Sequence, residues 1–411
     1  MAVIDVWGIK KVKLKKICSA LVKILLTITF ISSVLEISIS ADTVVNAESK
    51  GLDSNSNKNN NKIFQKIIDD NRNDNLVINI PKGNYLFKSG AIRLHSNIIF
   101  NFEKGAIFSV ENGNFLSFSY PSKFKGYNGG IKNVVWNNAV FKGEANGDKQ
   151  SGIVQSMNHA SNVTFNGCTF YNAEYPMGHY LDIDGSHGIN VNNSNFFGFN
   201  SSKKYAYKEA IQIDYSNLVA MSYQLPGDKY DNLPSYDVKV QNCKFLPIIK
   251  KGKIKFYAPN PIGQHDTYDK GIAGVIHNVT FVNNTVIDPR PQNGTKEATL
   301  NFNGVSNLVI KSNYFINQLA SGSTSYIRLN NPLDSYKMSQ LNITNNYFEN
   351  VDAKKQYILI GSNSSKKTVS SINISKNEVI SGHFASKFIV SDFDLTDQNI
   401  FGDRYLDVVS H

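Results

Sequence analysis

Residues 178–188 read GHYLDIDGSHG and place Asp182 and Asp184 two positions apart, flanked by His179 and His187. Crowded carboxyls split their proton affinities, so one stays protonated as an acid while its neighbour stays ionised as a base. The same residue types also make a solvated strand face or a calcium ligand set. The choice depends on which way the side chains point and on what lies above and below them. Other residues of matching chemistry are Glu209, Gln212 and Asp214 in YKEAIQID, His265 and Asp266 in IGQHDTYDKG, Asn301 and Asn303 in LNFN, and Arg328 in IRLN.

A repeat supplies the elements that position them. Eight segments share an apolar-x-apolar pair, a short polar turn and another apolar residue, among them NVVWNNAVF, NVTFNGCTF, GINVNNSNFF and NLVIKSNYF. With the first apolar residue as anchor, Val134, Val163, Ile189, Val238, Val279 and Leu308 follow at steps of 29, 26, 49, 41 and 29. A period in the high twenties with loop insertions marks a solenoid. Period-2 alternation of β-branched and aromatic residues between Asn, Gly and Ser turns makes the repeats strands. Asparagine at the same turn in coil after coil tolerates left-handed backbone, and its amide can bond to the amide of the next coil. The Asn-x-Ser/Thr triplets are therefore read as turn chemistry rather than glycosylation sites.

A second strand precedes each anchored one, with Leu181 and Ile183, Ile211 and Ile213, Leu300 and Phe302, and Ile327 and Leu329 pointing inward. Alternation then turns their neighbours outward. The outward column runs Ser156 and Asn158, Asp182 and Asp184, Gln212 and Asp214, a coil of open register offering His265 and Asp266, Asn301 and Asn303, then Arg328 and Asn330. Asp182 and Asp184 lie ~7 Å apart along a strand and Asp184 and Asp214 ~5 Å apart across coils. Those separations suit inverting and retaining glycosidases respectively, so spacing alone does not choose. Asp182, Asp184, Asp214 and His265 are the candidate catalytic residues. His179, Glu209, Gln212, Asp266, Asn301, Asn303 and Arg328 are candidates for holding substrate. Glu209 could equally pair with Lys208, Arg328 could bind a uronate carboxylate or a neighbouring acid, and His265 could be a solvated loop residue. His187 and His277, at turns, are read as structural.

The 411 residues are 41% hydrophobic and 18% charged, enough apolar content for a large core in one repetitive domain. Lys10, Lys11, Lys13, Lys15 and Lys16 precede an apolar stretch, and Val45-Asn46-Ala47 offers a cleavage site, so residues 1–47 read as an export signal. Lys23 interrupts the apolar run, which argues against a membrane anchor. Cleavage would take six lysines and three acids from 43 basic and 33 acidic residues, leaving a net charge of +7. With no block of five basic residues beyond the signal, the excess suits an acidic substrate, an anionic envelope or simple solubility. Nucleic acid is excluded by the absence of any binding motif and by export. Residues 48–62, rich in Ser, Asn and Lys, read as a flexible linker, and residues 63–411 as one β domain. Cys168 and Cys243 fall five residues after their anchors with Ser194 between them, about two coils or 10 Å apart, so they are expected to be free buried thiols.

An amphipathic helix from Ile63, then IPKGNYLF, then LHSNIIFNFEKGAIF, resembles the opening of right-handed parallel β-helix proteins of the pectate-lyase-like superfold. The last phrase is similar to the first coils of the polygalacturonase family of glycoside hydrolases. The resemblance implies an all-β fold, a single-stranded right-handed parallel β-helix with an N-terminal capping helix. It also implies a secreted enzyme that hydrolyses an extended, acidic or neutral polysaccharide, without a cofactor. The motifs of polygalacturonases, an Asn-Thr-Asp, a paired Asp-Asp, a Gly-His-Gly and an Arg-x-Lys, are missing in that form. Two alternatives therefore stand beside hydrolysis: β-elimination by a calcium-using lyase, and a non-catalytic β-helix that binds surface glycans.

Overall fold

A computed structural model describes residues 43–410, apart from 56–57, 147–148, 174–178, 199–208, 265–267, 269, 292–297, 324, 352, 354–355, 363–368, 385–386, 393–398 and 402. Each coil contributes one strand to each of three sheets. Within a sheet, strands from successive coils pair in parallel, giving a right-handed parallel β-helix. The first sheet holds the anchored strands, twelve among the described residues. Val134, Val163, Ile189, Val238, Val279, Leu308, Leu341 and Ile372 pair in one continuous register. The expected repeat is thus the physical coil.

The interior follows from alternation. In Ser161–Asn166 and His187–Asn192 buried and half-exposed residues alternate, and Phe141, Phe170, Phe196 and Phe245 stack face to face from coil to coil at 5.1, 4.8 and 4.8 Å. Those spacings match the rise between paired strands. Helix α1, Asn61–Asp70, lays Phe64, Ile67 and Ile68 over the first coil, and the Phe64 ring meets Phe87, Phe108 and Phe118 edge-on. It covers the open end of the core as expected.

The turns carry the asparagine ladders. Asn97, Asn133 and Asn162 all adopt left-handed backbone, and Asn133 donates its side-chain amide to Asn97 at 2.8 Å. A second ladder runs through Asn79, Asn101, Asn137, Asn166 and Asn192. A third, fully buried, links Asn284, Asn313, Asn346 and Asn377 and ends on Asp403. Cys168, Ser194 and Cys243 occupy successive coils through the Cys168 amide on Ser194 Oγ and the Lys244 amide on the Ser194 carbonyl. Both thiols are free and buried, and burial pushes each up to about 12.

The expected linker, residues 48–62, packs against the fold where it is described: Glu48–Lys50 make a turn of 3-10 helix, and Leu52 and Asn60 are buried. Asn60 ties the segment down through bonds to Asp53 and to the Leu86 carbonyl. Ahead of it, Thr43–Asn46 pairs with Leu76–Ile80, so the ordered β structure begins upstream of residue 48. The start of the expected export signal, residues 1–42, lies outside the described residues.

Candidate functional site

The acids sit on the second sheet. Leu181–Asp184 pairs with Lys149–Asn158 on one side and Glu209–Asp214 on the other, aligning Ser156, Asp182 and Gln212 in one column and Asn158, Asp184 and Asp214 in the next. Leu181, Ile183, Ile211 and Ile213 enter the core, so the acids face away from it. The expected direction therefore holds, but the expected exposure does not. Asp182, Asp184 and Asp214 are each 0% exposed, where alternation alone leaves an open polar face.

The cover is a loop, residues 216–233, that leaves Asp214 and folds back across the preceding coils. Its base is closed by the Tyr215–Pro234 bridge and by Ser235, whose hydroxyl donates to the carbonyls of Ile183 and Asp214. Its middle sits on the polar columns: the Ser222 amide donates to Asp182 Oδ2, Ser156 Oγ to the Tyr223 carbonyl and Asn158 Nδ2 to the Lys229 carbonyl. Gly185 makes room for it. At φ 52°, a Cβ there would lie 2.5 Å from that of Ser216, so the DIDGS turn admits only glycine without strain.

A clasp holds the far side. His159 is fully buried, with Nδ1 2.7 Å from Ser122 Oγ and Nε2 2.8 Å from Asp231 Oδ1. The Ser122 hydroxyl also donates to the Phe124 carbonyl at 2.9 Å, so these three side chains lock two loops together. Asp231 also accepts the Gly126 amide, and Asp228 the Ser122 amide. Burial pushes the Asp231 carboxyl up, but the Gly126 amide and His159 outweigh it and hold it below the usual carboxylate range.

Under the loop the electrostatics are unbalanced. Burial, followed by the charges of Asp182 and Asp214, raises Asp184 well above its ordinary value, and a hydrogen bond with Asp182 adds to the effect. Asp184 is thus the carboxyl of the three with a resolved upward shift in proton affinity. Gln212 Nε2 donates to Asp214 Oδ2. Tyr230, on the covering loop, is near enough for Asp184 to help raise its hydroxyl to about 12, after burial and Asp228. The Tyr230 hydroxyl, Ser222 Oγ and Gln212 Oε1 are buried without a hydrogen-bond partner among the described residues. Buried polar groups are normally satisfied, and exceptions gather where a site takes up something else.

The remaining candidates divide. His179 is buried and its Nδ1 lies 2.9 Å from the Glu209 carbonyl, at the head of the same strands, where Glu209 itself is buried. Asn301, Asn303, Arg328 and Asn330 continue the column, but Arg328 is only 6% exposed and its guanidinium donates to Asn301 at 2.9 Å and to Asn303 at 3.3 Å. Two amide oxygens thus hold the group expected to receive a uronate. In the coil of open register, Asn260–Gly263 fills the sheet and Gly263 stands between Gln212 and Asn301. His265, Asp266 and Lys208 lie outside the described residues. His187 and His277 stack on Tyr236 at 4.7 and 5.1 Å, a structural arrangement at the turn as expected. Sequence reasoning missed Ser122, His159, Ser222, Tyr230 and Asp231; of these His159 alone stands at a repeat position, the turn after Asn158 that Gly185 fills one coil later. The only local hint was the long step of 49 residues after Ile189, which contains the covering loop. Among the described residues no three His, Cys, Asp or Glu side chains are arranged to hold a metal, and no helix is long and apolar enough to cross a membrane.

Three parallel sheets around one stacked core define a right-handed parallel β-helix protein. No protein-family model matches the chain. Plasmin and fibronectin-binding protein A of Streptococcus pneumoniae is 26% identical over 282 residues, 63% of this chain and 36% of that protein. The chain thus spans about a third of the length of that curated relative. The crystal structure of PfbA, a surface adhesin of Streptococcus pneumoniae, superposes with a TM-score of 0.63 at 18% identity, covering 90% of this chain and 91% of that one. A hyperthermoactive exopolygalacturonase from Thermotoga maritima gives a TM-score of 0.48 at 13% identity, covering 90% and 92%.

Proposed function

We propose that this protein is an extracellular β-helix that hydrolyses an extended polysaccharide, with Asp184 as general acid, Asp214 as the facing carboxylate and residues 216–233 as a gate. The observation that carries the reading is the burial of Asp184 beside two further buried acids, which raises its carboxyl well above its ordinary value. A strand face that only needed to be polar would not bury three carboxyls, since each loses its hydration. A protonated acid next to a carboxylate is what glycosidic cleavage requires. Asp184 and Asp214 occupy adjacent rungs, ~4.8 Å apart, which fits the shorter carboxyl separation of a retaining mechanism. Asp214 would then attack the anomeric carbon while Asp184 protonates the leaving oxygen, and water, deprotonated by Asp184, would release the sugar. Gln212 holds Asp214, Asp182 shares the proton of Asp184, and Tyr230 and Ser222 bring unsatisfied polar groups from the gate.

The test incubates the protein with neutral and acidic glycans while following reducing ends and ultraviolet absorbance. New reducing ends without absorbance support hydrolysis; absorbance from an unsaturated uronate would replace it with elimination. Asp184→Asn and Asp214→Asn should each lower the rate by roughly 10²-fold or more, and full activity in both would sink the assignment.

A second reading is supported by the dense bonding of the covering loop and by the description of PfbA as a surface adhesin: a β-helix that binds surface glycans without cleaving them. Under that reading glycans bind, neither product forms, and Asp184→Asn leaves binding unchanged.

A further inference from the structure

On the opposite flank of the coils a two-stranded hairpin, Ile248–Lys250 and Lys253–Phe256, projects from the third sheet. Its sequence IIKKGKIKF places Lys250, Lys251, Lys253 and Lys255 within six residues, all exposed. No carboxylate lies within ion-pair distance of any of them among the described residues, where the four ion pairs all lie elsewhere. Lys250 and Lys253 are direct cross-strand partners. Like charges opposite one another destabilise a β pair, so this hairpin pays in stability for its charge.

The hairpin is also fixed in place. Ile248 seats on Gly198, whose φ is 82° and whose Cβ, were there one, would fall 2.6 Å from Ile248 Cδ1. Between hairpin and coils runs a groove of about 360 Å³, lined by Tyr171, Lys142 and Lys255 and by Glu111 and Glu144. Tyr171 is 38% exposed and offers an apolar ring. The groove is balanced in charge, whereas the hairpin beyond it is wholly cationic.

We infer that this hairpin and groove form a binding site for a polyanionic glycan, carrying sulfate or uronate groups, separate from the buried carboxyl cluster. The ammonium groups engage the anionic substituents and Tyr171 packs against a sugar ring. Four cations carried on one short hairpin raise the local potential far more than the same charges scattered over the surface. The choice of a glycan over another polyanion rests on the polysaccharide reading above, but the cationic site itself does not. Lysines on exposed strands also deter edge-to-edge pairing, a role that would leave ligand binding untouched.

The test measures binding of heparin, polygalacturonate, neutral dextran and duplex DNA to the whole protein between 50 and 300 mM NaCl. Heparin and polygalacturonate should bind, dextran should not, and affinity should fall steeply with salt. Replacing Lys250, Lys251, Lys253 and Lys255 together by Gln should weaken heparin more than about 10-fold at 50 mM and flatten the salt dependence. A control with Lys104, Lys132, Lys311 and Lys376 replaced by Gln has the same net charge and should stay within about 2-fold. Melting temperatures and reducing-end release, followed in parallel, separate loss of this site from unfolding and from failure of the carboxyl site. Equal weakening in the control, no heparin binding by the parent protein, or DNA bound as tightly with the same hairpin dependence would each overturn the inference.

Discussion

Two polar columns are buried in this solenoid, and they solve the same problem in opposite ways. Asn284, Asn313, Asn346 and Asn377 each donate a side-chain amide to the oxygen of the next coil and to a backbone carbonyl, while that same oxygen also receives the donor residue's own backbone amide. An amide is both donor and acceptor, so the stack satisfies itself and can be repeated indefinitely. The column of Asp182, Asp184 and Asp214 cannot, because ionised carboxyls only accept. It is made tolerable by the raised proton affinity of Asp184, by Gln212, and by donors lowered onto it from residues 216–233. A repeat thus explains the amide column completely, whereas the carboxyl column needs residues from outside the repeat. Such a local conflict is where function is expected.

The contrast can be tested from both ends. The largest effect is expected in the self-satisfied column. Asn346→Ala removes the acceptor for the Asn313 amides and the side-chain donor to the Ile310 carbonyl, and should cost about 2–4 kcal/mol in chemical denaturation. A loss below about 0.5 kcal/mol would mean the ladder is decorative. Asp184→Asn should act in the other direction. In the unfolded chain Asp184 ionises above about pH 4, whereas in the folded chain it holds its proton to well above that. The native state therefore binds the extra proton, and stability drains away as pH rises from about 4 towards the raised folded value. Asparagine, neutral at every pH, should be more stable than the parent by about 1–3 kcal/mol at pH 8 and nearly equal to it at pH 4. A difference independent of pH would remove the retained proton from the description. The smallest effect is expected at the clasp. Asp231 lies below its ordinary value, so its contribution is present above about pH 4 and fades as pH falls further. Asp231→Asn should change global stability by no more than about 1 kcal/mol, yet speed hydrogen exchange at the amides of Gly126 and Ser222. Unchanged exchange at both amides would show that the loop is held by its base alone.

The fold was legible because every coil repeats the same grammar. Val134, Val163, Ile189 and their successors mark one strand, Asn133 and Asn162 mark its left-handed entry, and the register between coils follows. The cysteines were legible for the same reason: Ser194 counted the coil between them. The direction of Asp182 and Asp184 followed from alternation, but their burial did not. Alternation reports which side of a strand a residue faces and carries no information about what later chain returns to cover it. Ser122, His159 and Asp231 come from loops separated by 37 and 72 residues, and only tertiary structure brings them together. Arg328 illustrates the same limit. Its reach towards a ligand was inferred from chemistry, but Asn301 and Asn303, one coil earlier in its own column, take up its donors.

The covering loop also sets a timetable. A solenoid settles coil upon neighbouring coil, so its early turns can form while later ones are still being made. The bonds from Ser122 to Asp228 and from Gly126 to Asp231 span 106 and 105 residues. Until that chain emerges, Asp182 and Asp184 wind into place still in contact with water and free to ionise. Their desolvation is thus deferred to the moment residues 216–233 swing back, after every strand beneath them has found its register.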